Sequence, residues 1–345
     1  MVGMFVRLEI HCAKNVLLII FVYIRISMNK NIIGIGNAIV DIFVHVDDLF
    51  LKNNNLVKGS MKLINVNDFN ELKKNIRIEK IIAGGSAANT MAGISYLKGK
   101  CSFIGKISSD ELGKIYKNSL KDINVDFHYL EKKENLPTGA SIILITPDHE
   151  RTMCTFLGVS SQLSSSDIND KNILDSQLVF LEGYLWDKGE SEKMFKYVIN
   201  LAKKNKIKIS MSLSDIFCVS RHKENFLDLL KNHLDILIGN ENEINELMSS
   251  KNLLISINQL KKFNKLIVIT RSEKGSLVIQ NNDLISCNSV PVDKVVDLTG
   301  AGDLFAAGFL YEYINNSQIK KCRSEEHTSE LQSHLNLVCR LLLEK

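Results

Sequence analysis

Asp297-Leu298-Thr299-Gly300-Ala301-Gly302-Asp303 runs straight into Leu304-Phe305-Ala306-Ala307-Gly308-Phe309-Leu310. An apolar, β-branched run from Val290 to Val296 feeds the glycine turn, and the turn feeds an apolar helical pattern. Gly300 and Gly302 let the backbone come close to a ligand and take dihedrals that a Cβ would forbid. The first turn of the helix has N–H groups without intrahelical partners, at the positive end of its dipole. Such a terminus receives an anion, above all a phosphate. Asp303 sits in the same turn, so a hydroxyl placed beside it has a base on one side and a stabilised phosphoryl group on the other. The pattern predicts phosphoryl transfer, although a Gly-x-Gly before a helix is by itself equally a tight turn.

A second glycine turn precedes a second small-residue helix, at Gly84-Gly85-Ser86-Ala87-Ala88-Asn89-Thr90-Met91-Ala92-Gly93. Small side chains permit close approach, and Asn89 offers a bidentate amide from the first turn. Residues 31–46 read as one strand, apolar enough to be buried on both faces, with Gly36-Asn37 and a lone Asp41 within it. A carboxylate there is costly unless paired, and is either a turn cap or an acceptor for ligand hydroxyls.

Further along, strands are expected at 100–107, 177–185, 207–213, 234–239 and 265–270, and a hairpin at 138–146 and 151–158. Met194, Tyr197, Val198 and Leu201 fall at helical spacing between two of these strands. Alternation of strand and helix implies a mostly parallel sheet covered on both faces, with ligands outside the carboxyl ends of its strands. Asp41, Gly84–Asn89, Asn240–Glu243, Thr270 and Gly300–Asp303 are all expected at such ends. Asn240-Glu241-Asn242-Glu243 also suits plain N-capping of a helix, and Arg151 is either an exposed strand-end arginine or a hand on transferred phosphate.

A net charge of +4 over 345 residues argues for neither nucleic acid nor an anionic membrane surface. Seven scattered cysteines without a C-x-x-C pair argue against a disulfide framework or zinc site, and for a reducing cytoplasm. Cys101, Cys154 and Cys218 read as core filler. Val16–Ile24 is too short to span a bilayer, and residues 1–27 read as a non-native extension before Met28, the alternative being a targeting segment. From Arg323 the Lys/Asn/Ile bias is lost, and residues 323–345 resemble translated adapter sequence, the alternative being a terminal amphipathic helix.

The strings quoted above, over residues 29–322, resemble the ribokinase-like (PfkB) family of carbohydrate and nucleoside kinases. The family signature Asp-Thr-x-Gly-Ala-Gly-Asp is matched from Asp297 to Asp303, with only Leu298 departing. The resemblance implies a three-layer α/β/α sandwich over 28–322, with a mostly parallel central sheet and a small β-sheet lid drawn from parts of 40–65 and 125–160. It implies that Asp303 is the general base and that Gly300, Ala301 and Gly302 form the anion hole. Asn37, Asp41, Gly84, Gly85, Ser86 and Asn89 are expected around the substrate, and Asn240, Thr270, Gly275 and Thr299 around ATP. Glu243 is expected to hold Mg²⁺ through water, with the Asp297 and Thr299 carbonyls at a candidate K⁺ site.

Glu150–Gly158, Leu181–Asp187 and Leu213–Cys218 narrow the resemblance to the adenosine-kinase-like branch. The expected reaction is ATP-dependent phosphorylation of the 5′-hydroxyl of a nucleoside, adenosine to AMP, with Arg151 steadying the phosphate. Phe43, Phe156, Tyr184 and Trp186 are candidates to stack on the base, core packing being the alternative for each, and Phe156 is placed at the substrate. A sugar kinase of the same fold, or a truncated chain that binds ligand without chemistry, are the other two readings. The expected partners are small molecules, for a cytoplasmic monomer or homodimer without nucleic acid or membrane.

Overall fold

The computed structural model describes residues 31–129, 133–187, 191–289 and 300–315. The strands are β1 (Asn31–Ile35), β2 (Ile39–His45), β3 (Met61–Leu63), β4 (Lys80–Gly84), β5 (Lys100–Ile104), β6 (Asp126–Phe127), β7 (Gly139–Ile145), β8 (Arg151–Phe156), β9 (Leu178–Glu182), β10 (Lys208–Ser212), β11 (Ile236–Asn240), β12 (Leu266–Thr270), β13 (Ser276–Gln280) and β14 (Asp283–Cys287). The helices are α1 (Asp48–Asn53), α2 (Val66–Lys74), α3 (Ser86–Tyr96), α4 (Glu111–Asp122), α5 (Asp170–Leu174), α6 (Ser191–Lys204), α7 (Ile216–Asn232), α8 (Glu241–Leu247), α9 (Leu253–Lys261) and α10 (Ala301–Asn315).

The large sheet has the order β14-β13-β12-β11-β10-β9-β1-β5-β6. It is parallel from β12 to β6 and closes with β13 and β14 antiparallel at one edge. Its central strands are buried on both faces, and their alternate residues go to opposite cores. Ile32, Leu178 and Phe180 point to the face covered by α3, α4 and α10, while Ile33, Ile35, Val179 and Leu181 meet α6, α7, α8 and α9. This is the expected three-layer α/β/α architecture. Cys101, Cys154 and Cys218 are fully buried among apolar neighbours, as expected.

The second sheet, β3-β8-β7-β2-β4, is the lid. Residues 31–46 are therefore two strands in two sheets, not one. The chain leaves the large sheet at Gly36, crosses over Asn37-Ala38 and enters the lid as β2. Asp41 consequently stands inside a lid strand, paired with Ile82 and Ser141, rather than at the end of a central strand. Gly84 likewise ends a lid strand. The hairpin β7–β8 forms as expected, while β6, from the segment expected in the lid, joins the large sheet instead. The apolar run Val290–Val296 lies outside the described residues.

Cross-strand partners share a face, so register divides the lid in two. Asp41, Phe43, Ile143, Arg151, Met153 and Thr155 lie on one face. Ile42, Ala140, Ile142, Cys154 and Phe156 lie on the other, against Phe69 and Leu72 of α2.

Candidate active site

The site is built where α3 and α10 cross. Gly93 is required there: a Cβ on it would lie 2.6 Å from the Ala307 Cβ. One turn nearer the helix starts, Asn89 and Asp303 occupy the equivalent positions, i−4 from Gly93 and Ala307. The close crossing brings them into contact. Asn89 Nδ2 donates to Asp303 Oδ2 at 3.1 Å, and the Ser86 hydroxyl donates to Oδ1 at 2.6 Å. Burial raises the Asp303 carboxyl and these two donors pull it back, leaving it at about 6. The result is a largely desolvated carboxylate, fixed in orientation and ionised at neutral pH.

Gly300 has φ +73° and turns the chain into α10, with Leu304 N–H donating to its carbonyl at 2.8 Å. Beyond it, among the described residues, the helix terminus is open. Ala301 and Gly302 are exposed, and a Cβ placed on Gly302 would meet nothing within 4 Å. The N–H groups of Ala301, Gly302 and Asp303 have no carbonyl within the helix to bond. This is space for an anion next to a base. Thr299, and the Asp297 and Thr299 carbonyls of the candidate K⁺ site, lie outside the described residues.

Asp41 faces the same space from the lid. Its carboxyl is raised to about 7 by burial and by the Asp303 charge, with Arg151 pulling the other way. A Cβ on Gly84 would strike the Asp41 carboxylate at 2.2 Å, so Gly84 leaves room for that side chain. Arg151 reaches back over the Phe43 ring, 5.8 Å from its centroid. Two acids and one arginine thus converge from the lid and the helix pair.

Asn37 does not present a free amide. Its Nδ2 donates to Glu182 at 3.2 Å, and its backbone N–H donates to the same oxygen at 3.3 Å. Glu182, 1% exposed at the end of β9, was not among the expected site residues. The signal for it was a lone carboxylate closing the apolar run Leu178–Leu181.

Asn240 and Glu243 form a reciprocal capping box at the start of α8. Glu243 N–H donates to Asn240 Oδ1 at 2.9 Å, and the Glu243 carboxylate accepts from the Asn240 backbone at 2.9 Å and its amide at 2.6 Å. The N-capping reading of this segment therefore holds. Glu243 is buried, and its carboxyl is raised to about 7 by that burial, with Asp215 and Asp303 adding repulsion. An all-oxygen set holding unbalanced negative charge suits a hard cation bound through water. Asn240 pairs with Thr270 across β11 and β12, which puts Arg271 beside Glu241, 3.1 Å from Nε to the carboxylate. Gly275 is demanded by the fold itself: it has φ +79°, and its Cβ would lie 2.0 Å from the Cys287 carbonyl oxygen.

Phe156 requires correction. It is 7% exposed and packs on Phe69, 5.7 Å between centroids, on the lid face opposite Asp41 and Arg151. The aromatic that shares their face is Phe43. Trp186 packs edge-on against Phe195 and Phe226 in the far core, and the Tyr184 hydroxyl donates to the Ser214 carbonyl at 3.4 Å. Asp187, Cys218 and His222 bring three metal-type donors within 4.8 Å of one another. However, Asp187 already accepts two bonds from Arg221 and one from His222, a closed ion-pair net at the kink in α7.

A family model for pfkB family carbohydrate kinases matches residues 52–323. The crystal structure of adenosine kinase from Sinorhizobium meliloti is 34% identical, covering 92% of this chain and 94% of that one, with a TM-score of 0.81. A probable sugar kinase from Rhizobium etli CFN 42 is similar to the same degree, 32% identical over 92% of this chain and 94% of that one, also at TM-score 0.81. The 5-dehydro-2-deoxygluconokinase of Mesomycoplasma hyopneumoniae (strain 7448) is 26% identical over 260 residues, 72% of this chain and 76% of its own. Among the described residues no helix is long and apolar enough to cross a membrane.

Proposed function

This chain belongs to the pfkB family of carbohydrate kinases, and on that premise we propose that it phosphorylates the 5′-hydroxyl of a nucleoside, adenosine to AMP. The observation that carries the chemistry is the pairing of a carboxylate held by Ser86 and Asn89 with the open terminus of α10. Adenosine is supported by the likeness to the S. meliloti enzyme.

ATP is the phosphate donor that the family implies. Asp303 accepts the proton of the 5′-hydroxyl as it attacks, and burial sets this base close to neutral pH. The N–H groups of the first turn of α10 take the charge that builds on the transferred phosphoryl oxygens. They are fixed before the reaction, so no reorganisation is needed at the moment of transfer. Arg151 steadies the same group from the lid side. Asp41 accepts hydrogen bonds from ribose hydroxyls, and Phe43, on the same lid face, offers a ring to the base. Asn240 and Glu243 would hold Mg²⁺ through water, and bound there it would neutralise phosphate charge. Asn37, Gly84, Gly85, Ser86 and Asn89 shape the substrate floor, and Thr270 stands at the end of a strand beside Asn240, facing the nucleotide.

Asp303→Asn tests this directly. It keeps shape and the Ser86 bond but removes the base, so kcat falls by about 10²-fold or more with adenosine affinity retained. Near-normal turnover would remove Asp303 from the role.

A sugar kinase is the second reading, favoured by the likeness to the R. etli and M. hyopneumoniae proteins. The same base and anion hole would serve it, and the acceptor alone would differ.

A further inference from the structure

Glu182 is a fully buried acid that the phosphoryl-transfer chemistry leaves without a part. Its carboxylate is spent on protein donors: Ala87 N–H on Oε2 at 2.8 Å, and the Asn37 backbone and side-chain amides on Oε1. The first of these lies in the opening turn of α3. That helix has Gly85 as its N-cap, at φ +93°, with no side-chain cap of its own. Helix starts leave donors unsatisfied, and a carboxylate is the group best suited to meet them.

The surroundings are shaped around this acid. Ile35 pairs with Leu181, so Glu182 runs alongside Gly36. A Cβ on Gly36 would lie 2.3 Å from Glu182 Oε2 and 2.6 Å from the Ala87 Cβ. Gly36 is therefore the residue that lets the carboxylate slide past β1 to reach α3. Ser86 and Asn89, which hold Asp303, stand in the same turn that Glu182 grips.

We infer that Glu182 is a positioning residue, which caps α3 from outside the helix and so sets Ser86 and Asn89 against Asp303. It acts through α3 and touches no reacting atom. The other oxygen, Oε1, holds Asn37, so one side chain ties the crossover into the lid to the helix that orients the base.

Glu182→Gln in the full chain tests it. The volume is unchanged, but the new amide NH₂ faces either the Ala87 N–H or the two Asn37 donors, and in each case donor meets donor. With acceptor and ATP saturating, kcat falls about tenfold while the KM for ATP stays within about twofold. Added to Ser86→Ala, it lowers kcat by less than about twofold further, because both changes break one chain of contacts. A merely structural role would reduce the active fraction and multiply with Ser86→Ala. Turnover of Glu182→Gln within twofold of the parent, or fully multiplicative penalties, would overturn the inference.

The inference rests on Asp303 as the base, and two controls separate it from the choice of substrate. If the parent chain turns over a sugar and not adenosine, that sugar replaces adenosine in the assay. Hydrogen exchange at the Ala87 amide needs no substrate: it accelerates about tenfold in the variant, with Phe305–Leu310 unchanged. An unaltered Ala87 rate would equally overturn the inference.

Discussion

Two helices in this molecule begin in the same way, with glycines followed by small residues, and end up with opposite fates. At α3 the fold supplies its own anion: the Glu182 carboxylate accepts from Ala87 N–H and fills the terminus. At α10 none of the described residues fills it, and a Cβ on Gly302 would meet nothing within 4 Å. One terminus is thereby a structural joint, and the other is the place proposed for the phosphate. A glycine turn before a helix thus becomes an anion site only where no internal carboxylate reaches it.

The largest effect expected from this contrast is at Gly302. Gly302→Val has room for its side chain in the ligand-free fold, so folding is preserved. The side chain occupies the anion space, and kcat/KM for ATP drops by about 10²- to 10³-fold. An active Gly302→Val enzyme would show that the phosphate sits elsewhere. The counterpart at α3 behaves in reverse. Gly85→Ala puts a Cβ 2.4 Å from the Asn37 carbonyl oxygen, at a backbone angle that L side chains avoid. It costs about 2–4 kcal/mol of folding stability, read by denaturant unfolding.

Protonation separates stability from activity. Asp41, Glu182 and Glu243 are raised to about 7 and Asp303 to about 6, from ordinary values of 3.8 for Asp and 4.5 for Glu. The folded state therefore binds these protons more tightly than the unfolded chain does. Their contribution to stability is complete below their ordinary values and is lost as pH rises through 6 to 7. The Tm of the ligand-free protein should fall between pH 5 and pH 8, while kcat rises through about pH 6 as Asp303 becomes a base. A Tm that climbed over that interval would mean that the fold does not hold these protons more tightly than the unfolded chain does.

The smallest effects distinguish the two lid faces. Phe43→Leu raises the nucleoside KM a few-fold without loss of stability. Phe156→Leu leaves KM alone and costs about 1 kcal/mol of stability. Exchange of these two outcomes would reverse the orientation assigned to the lid.

The α10 junction was legible because glycines, an acid and an apolar helical run all point to one arrangement. The two-layered burial of the central strands was legible from their continuous apolar runs. The break between β1 and β2 was not, since both halves are buried and a continuous apolar pattern does not say which sheet receives it. Gly36-Asn37 was the visible mark, and its meaning depends on Glu182, 145 positions away from Asn37. Phe156 was misplaced for a related reason. A period of two identifies two faces, but only the pairing with Ala140 and the packing on Phe69 say which one faces the site. At Gly275 the sequence pattern pointed to a phosphate contact, and the approach of the Cys287 backbone is a second, structural demand for glycine that the pattern does not show.

The most direct measurement is ATP consumption by the full chain with adenosine, other nucleosides, ribose and fructose offered singly as acceptors. A nucleoside kinase releases ADP with adenosine and forms AMP, with little turnover on the free sugars. Turnover on ribose or fructose, with none on any nucleoside, would contradict it and assign the same base and anion hole to a sugar kinase.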